Sequence, residues 1–120
     1  MLPARSSGSV KIISLNRDEV IGRLRQIARS LRAEHPEVTD VRLFGSLARG
    51  DQTGTSDVDV IIVLDRSSEA DHQRRILTFL PYFVLPRGVD CLVYTRSELE
   101  GLRKDHRFLQ RIWNESFSLI

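Results

Sequence analysis

Two aspartates one residue apart, Asp57 and Asp59, lie at the start of an apolar run and are well placed to do chemistry. Alternate residues of a strand share a face, so their carboxylates should point the same way, about 7 Å apart. At that distance two like charges repel by about 2.5 kcal/mol if the effective dielectric is roughly 20. A hard divalent cation with oxygen ligands would turn that repulsion into attraction. The pair therefore indicates a metal site.

Two further features could complete such a site. Upstream, Gly45 and Ser46 follow an apolar run, and a glycine there permits a tight turn that brings the backbone close to a ligand. The spacing predicts a short helix over residues 46–49, whose unpaired N–H groups would suit a phosphate. Downstream, Asp90 lies in a third apolar run and offers another carboxylate.

These motifs, in this order and at this spacing, resemble the signature of the DNA polymerase beta-type nucleotidyltransferases. The likeness is greatest to their small branch, the minimal nucleotidyltransferases, and spans residues 41–94. The matching segments are Gly45-Ser46, Ala48-Arg49-Gly50, Ser56-Asp57-Val58-Asp59 and Asp90.

The resemblance implies a role for each acid. Asp57 and Asp59 would bridge two Mg²⁺ ions, and Asp90 would hold the catalytic one. Asp90 would also lie nearest the acceptor hydroxyl and could accept its proton. Two metals would stabilise both ends of an in-line displacement.

The resemblance also implies a nucleotide site. Gly45 and Ser46 would bind the β- and γ-phosphates of ATP through backbone N–H and hydroxyl groups, and Ser56 would line the same site. Arg49 would either neutralise phosphate charge or brace Asp57, and the sequence leaves both roles open.

The resemblance further implies an antitoxin that adenylylates a tyrosine of a HEPN-type toxin, with ATP as substrate. This hypothesis draws on a complete motif in a chain with little beyond the catalytic core. Two alternatives stay open: transfer to a small hydroxylated molecule such as an aminoglycoside, and a non-catalytic antitoxin that only binds its partner. A homo-oligomer is also compatible with the sequence.

Plainer interpretations of the same residues exist. Asp57 could merely enter a strand, Asp59 could be a surface residue of an edge strand, and Gly45-Ser46 could be only a turn. The apolar run that follows Asp59 favours burial of the strand, and Asp90 supplies the third acid, so we favour the metal site.

The elements that must position these residues can be predicted in order. Asn16 should cap a first helix whose apolar residues recur to Leu31. Strands are expected over residues 38–44, 56–64 and 89–94. Between the last two strands, Ser68 with Asp71 should cap a helix carrying Ile76, Leu77 and Leu80.

Residues 79–86 form an apolar connector with two prolines, which we expect to cover the core rather than to be a docking patch. A capping box over residues 97–100 should open one last helix through His106 to Trp113, followed by an apolar tail. Cys91 should pack in the core on the face opposite Asp90.

The alternation of helices and strands predicts an α/β sandwich. The resemblance adds that the sheet is small and mixed, with flanking helices, as in the palm-like fold of polymerase beta. We expect residues 1–9 to form a disordered tail and residues 10–120 a single domain, with a short arm or edge strand over 10–15.

Composition limits the function classes. The chain has 120 residues, a net charge of +2 and one cysteine. The weak charge does not favour nucleic acid as a partner, one cysteine excludes an internal disulfide, and no apolar run is long enough to span a membrane. A cytoplasmic protein is the simplest interpretation.

Overall fold

The computed structural model describes residues 16–53 and 56–120. Within these two segments, four strands form one sheet: β1 (Val38–Phe44), β2 (Val58–Leu64), β3 (Val89–Thr95) and β4 (Phe117–Ser118). The strand order is β3-β2-β1-β4. β1 runs antiparallel to β2 and β4, whereas β2 and β3 are parallel. The sheet is therefore mixed, as expected.

Five α-helices accompany the sheet in the described segments: α1 (Arg17–Glu34), α2 (Ser46–Arg49), α3 (His72–Phe79), α4 (Arg96–Asp105) and α5 (Arg107–Glu115). A short 3₁₀ turn, Leu80–Tyr82, follows α3. Within these segments, no helix has both the length and the apolar character that a membrane crossing requires. The predicted short arm over residues 10–15 and the tail over 1–9 lie outside the described residues.

One face of the sheet packs against α1 and α3. As predicted, Asn16 caps α1, because its side-chain oxygen accepts a hydrogen bond from the Glu19 N–H at 3.0 Å. The buried stripe of α1 includes Leu24 and Leu31, each with no exposed surface. This main core also contains Cys91, on the face of β3 opposite Asp90, as expected.

The other face packs against α4 and α5. Ile61 and Val63 of β2 contact Leu99, Leu109 and Ile112 of these two helices in a second buried cluster. Since β2 has apolar neighbours on both faces, it carries a nearly continuous apolar sequence, as buried central strands do. This central strand supports the acidic residue at its start.

The connector after α3 covers the main core. Phe79 and Phe83 are buried there, whereas Val84 between the prolines is 74% exposed. The prediction that the connector packs on the core is confirmed for these aromatic residues.

Leu77, which we placed on the apolar stripe of α3, is instead 69% exposed. Asp71 alone caps α3, by accepting a hydrogen bond from the Gln73 N–H.

The single last helix that we expected is wrong, because the chain breaks at His106. This residue is extended, with φ −112° and ψ 102°, and separates α4 from α5. Its ring Nδ1 accepts a hydrogen bond from the Leu109 N–H at 3.3 Å. His106 therefore caps α5 instead of lying on an apolar stripe, and the break lets α5 turn towards the end of β1.

Two boundaries near the last helices also differ from the prediction. The capping box is formed by Thr95 and Glu98 rather than within residues 97–100, so α4 begins at Arg96. The tail after α5 is partly a strand, since Phe117 and Ser118 pair with Leu43 and Arg42 of β1. The tail thereby extends the sheet beside the first core strand.

Candidate functional site

Asp59 and Asp90 lie side by side at one end of the sheet. They are register partners in the parallel β2–β3 pair, and their carboxyl groups are close enough to share a hydrogen bond. Burial raises the pKa of Asp59 to about 6, and the Asp90 carboxylate and then the Asp57 charge add to that increase. The fold therefore brings together the two acids predicted from distant parts of the sequence.

Asp57 is near this pair but faces a different neighbour. It is exposed, one residue before β2, and its Oδ1 lies so close to Gly88 that a Cβ there would come within 2.6 Å. The adjacent Val58 N–H donates to the Gly88 carbonyl at 2.9 Å. Asp57 thus packs against the start of β3, at the same end of the sheet as Asp90.

Gly45 makes the turn from β1 into α2. Its φ of 78° and ψ of −158° are accessible almost only to glycine. A Cβ at Gly45 would overlap Asp59 Oδ2 and lie 3.1 Å from Asp59 Cγ. The missing side chain therefore lets the buried turn lie directly against an acid of the site. The tight turn expected from the sequence is present, and the group that approaches it is Asp59.

Arg49, at the end of α2, is held by two carboxylates. Its Nε donates to Asp51 at 3.1 Å, and its Nη1 donates to both Glu115 oxygens at 3.2 and 3.0 Å. The Asp51 bond and then the Glu115 bond raise the pKa of Arg49. Of the two roles left open by the sequence, the bracing of Asp57 is not what the structure shows, because Arg49 binds these other acids.

An open cleft joins these groups. It has a volume of about 680 Å³, and Gly45, Ser46, Arg49 and Asp59 line one side of it. A second wall comes from α5, which contributes Phe108, Arg111, Ile112 and Glu115. Phe108 is 47% exposed although it is a large apolar side chain.

Ser56 has a different position from the cleft residues. Its hydroxyl accepts a hydrogen bond from the Thr53 N–H at 2.7 Å, and its carbonyl accepts one from Arg87 Nη1 at 3.2 Å. It is half-buried just before Asp57. The contacts of Ser56 hold the loop that leads into β2, so in this structure it positions Asp57 rather than lining the cleft.

The acid pair fits a divalent cation in chemical terms. Two neighbouring carboxyl groups offer the oxygen ligands that Mg²⁺ prefers, once they are ionised. In residues 16–53 and 56–120, no three acidic, histidine or cysteine side chains already enclose an ion-sized space. Asp59 and Asp90 would thus hold the metal, and Asp57 would join them from the same end of the sheet.

The α5 residues of the cleft were missed by sequence reasoning. Glu115 is separated from Arg49 by 66 positions and from Gly45 by 70. The apolar spacing of α5 indicated which side would be buried, but nothing in the sequence indicated that its last residue would reach the Gly-Ser turn. The exposed Phe108 could have been noticed only as an apolar residue off the buried stripe.

Comparisons with known proteins agree with this geometry. A family profile described as a nucleotidyltransferase domain matches residues 24–114. A solved structure from Sulfolobus solfataricus, provisionally described as a nucleotidyltransferase, is similar with a TM-score of 0.64 and 23% identity. The alignment covers 96% of this chain and 90% of that one, and at this identity it supports the fold alone. No curated protein matches the chain.

The profile covers both the Gly-Ser turn and all three acids. The fold brings the turn and Asp59 to one cleft, and Asp90 lies beside Asp59 on the neighbouring strand. Members of this family transfer nucleotidyl groups, generally from a nucleoside triphosphate and with a divalent metal. The chain belongs to the nucleotidyltransferase domain family of transferases.

Proposed function

We propose that this protein transfers AMP from ATP to a hydroxyl group of a partner protein, as a tyrosine-modifying antitoxin of a HEPN-type toxin. The observation that carries the proposal is that the Gly-Ser turn, Asp59 and an exposed Phe108 line the same cleft. One side of the cleft suits a triphosphate, and the other presents a surface for a larger acceptor.

The phosphate side is built from backbone and charge. Gly45 places its N–H at the cleft, Ser46 adds a hydroxyl, and Arg49 adds a guanidinium. Guanidinium and backbone N–H groups are the usual donors to phosphate oxygens. ATP is our choice among nucleotides because the minimal nucleotidyltransferase branch, which the motif resembles, uses it.

The reaction forms a bond between the acceptor oxygen and the α-phosphorus and breaks the bond from that phosphorus to the bridging oxygen. Pyrophosphate leaves with the electron pair of the broken bond. Asp90 takes the proton of the acceptor hydroxyl, since it is exposed beside Asp59. A divalent cation bound by the acids would neutralise charge on the phosphates and the attacking oxygen.

A protein acceptor is supported by the other wall. Phe108 is half exposed at the cleft, and the Arg111 guanidinium lies 5.6 Å from the centre of its ring. An exposed aromatic residue beside an arginine is typical of protein contact surfaces. We therefore place the tyrosine-bearing segment of the partner against α5.

The direct test mixes the protein with the HEPN-type toxin, ATP and Mg²⁺ and measures the intact mass of the toxin. We expect one added AMP with wild-type protein and none with Asp59→Asn. Asp65→Asn is the matched control, because Asp65 is an exposed aspartate just past the other end of β2 and should leave transfer intact.

Phe108→Ala tests the acceptor wall separately. It should lower transfer to the toxin at least fivefold, by roughly the energy of one lost apolar contact, while ATP binding stays unchanged. Transfer to an aminoglycoside without any toxin would support the small-molecule alternative. Neutralisation of the toxin by the Asp57→Ala/Asp59→Ala double variant would support the non-catalytic alternative.

A further inference from the structure

The carboxylate of Glu115 occupies the place where the phosphate donors converge. Its Oε2 accepts a hydrogen bond from the Gly45 N–H at 2.7 Å. The two oxygens of the same carboxylate also accept hydrogen bonds from Arg49 Nη1, at 3.2 and 3.0 Å. One acidic side chain thus uses the backbone donor of the turn and the guanidinium of Arg49, both of which line the cleft.

A carboxylate bound in this way resembles a phosphate in its contacts. It is anionic, its two oxygens face a guanidinium, and a backbone N–H points at it. The side chain of Glu115 is only 17% exposed, so these contacts are partly protected from water. Asp51, the other acid on Arg49, is 62% exposed and has no contact with Gly45 among its hydrogen bonds.

The backbone beneath Glu115 is firmly held. Arg42 donates from Nε to the Ser116 hydroxyl at 2.8 Å and from Nη2 to the Ser116 carbonyl at 3.0 Å. The Arg42 guanidinium also stacks 4.5 Å from the centre of the Trp113 ring. Beyond Ser116, the Leu119 N–H donates to the Val41 carbonyl. Movement of Glu115 is thereby limited mostly to its side chain.

We infer that Glu115 is an internal competitor, which competes with the triphosphate for the Gly45 N–H and the Arg49 guanidinium. Its carboxylate occupies these donors in the ligand-free protein and must rotate away when nucleotide binds. The inference rests on the proposed nucleotidyl-transfer site but not on the identity of the acceptor. Glu115 lowers nucleotide affinity, since the ligand must first break its three contacts. It also keeps the turn and Arg49 ordered in the absence of ligand.

Inorganic tripolyphosphate is the probe that tests this inference, because it needs neither a base pocket nor an acceptor. Calorimetry at fixed salt would give its Kd for wild type, Glu115→Gln and Asp51→Asn. We expect Glu115→Gln to bind roughly 3- to 30-fold more tightly, the range for loss of a charge-assisted contact in the competing state. Asp51→Asn should change Kd by less than about twofold, because that pair is exposed.

Thermal unfolding of each ligand-free variant gives a second readout, the melting temperature, which should change in the opposite direction to the affinity for tripolyphosphate. Glu115→Gln should melt at a lower temperature than wild type while binding tripolyphosphate more tightly. If Glu115→Gln does not fold, Glu115→Asp replaces it, since a shorter side chain cannot span Gly45 and Arg49 together. Unchanged or weaker tripolyphosphate binding in the folded variant would overturn the inference and make Glu115 a brace for Arg49.

The two proposals can fail separately. Tighter tripolyphosphate binding by Glu115→Gln with no AMP on the toxin would keep the internal competitor and reject the protein acceptor. If wild-type protein transfers AMP to the toxin but Glu115→Gln shows no gain in tripolyphosphate affinity, the protein acceptor is kept and the internal competitor is rejected.

Discussion

Asp59 and Asp90 face each other across the parallel β2–β3 pair, with their carboxyl groups within hydrogen-bonding distance. The sequence separates them by a loop, a helix and a proline-containing connector. In the ligand-free protein this proximity is unfavourable when both groups are ionised, and the site therefore holds charge repulsion that a cation relieves.

Removing one of the two charges should stabilise the ligand-free protein. We expect Asp59→Asn to raise the free energy of unfolding by roughly 1 kcal/mol, a modest amount because the site is half exposed and screened by water. The same change should abolish Mg²⁺-dependent ATP binding in calorimetry. Asp65→Asn should do neither, and a loss of stability in Asp59→Asn would contradict the repulsion argument.

The raised pKa of Asp59 gives a pH dependence of definite sign. Its folded value of about 6 lies above the ordinary value of 3.8, so the folded state binds more protons between these two pH values. The contribution of Asp59 to the free energy of unfolding is therefore complete below about pH 4 and is lost as the pH rises through 6. Melting temperatures of wild type and Asp59→Asn, compared from pH 4 to 8, should diverge in that window.

Mg²⁺ should reverse this trend. A cation needs the ionised carboxylates, so the increase in melting temperature with Mg²⁺ should be small at pH 5 and larger at pH 7.5. An increase that does not depend on pH would mean that the cation binds away from Asp59.

Gly45 and Gly101 form a matched pair for alanine substitution. Gly45→Ala would force an unfavourable φ and an overlap with Asp59, and we expect a loss of about 2–4 kcal/mol in unfolding free energy. Gly101 lies inside α4 with open space at its Cβ position, so Gly101→Ala should gain about 0.5–1 kcal/mol. Urea unfolding of both variants checks the two signs, and a neutral Gly45→Ala would show that the turn can rearrange.

Arg75 is a buried cation away from the site, at 4% exposure, bound to Glu98 at 2.7 and 3.2 Å. Arg75→Leu should cost about 2 kcal/mol, since it removes charge-assisted hydrogen bonds and leaves Glu98 without its partner. Arg74→Leu is the control, because the neighbouring arginine is 72% exposed and its ion pairs are 3.8 and 3.9 Å long. Equal losses of unfolding free energy in the two variants would show that the burial of Arg75 does not add to the stability of the protein.

Local patterns predicted the site-bearing strands to within two residues. The strand expected over residues 56–64 begins at Val58, which leaves Asp57 outside it, and the strand expected over 89–94 ends at Thr95. β1 has the predicted bounds, because turn residues end its apolar run. The position of Asp59 at the start of a buried strand, and of Asp90 on the neighbouring one, followed from apolar runs and from the family resemblance. The strands themselves depend on residues close in sequence, which a pattern can show, whereas the adjacency of the two acids was implied by the resemblance.

The remaining features depend on tertiary contacts. The break at His106 interrupts a periodic pattern that would suit one continuous helix, and only docking of α5 against β1 and β2 favours two. The two-residue strand Phe117–Ser118 is too short to give a periodic signal. Glu115 meets Gly45 because α5 ends at the edge of the cleft, and no local rule relates residues so far apart.

The only cysteine of the chain, Cys91, follows Asp90 in β3 and is 7% exposed. Burial raises the pKa of its thiol to about 12, so it stays protonated and unreactive while β3 is in place. A thiol reagent would modify it mainly when the strand detaches from its neighbours. The rate at which a thiol reagent labels Cys91 in wild-type protein therefore measures how often the strand that carries Asp90 opens. A ligand that stabilises this strand should slow the labelling.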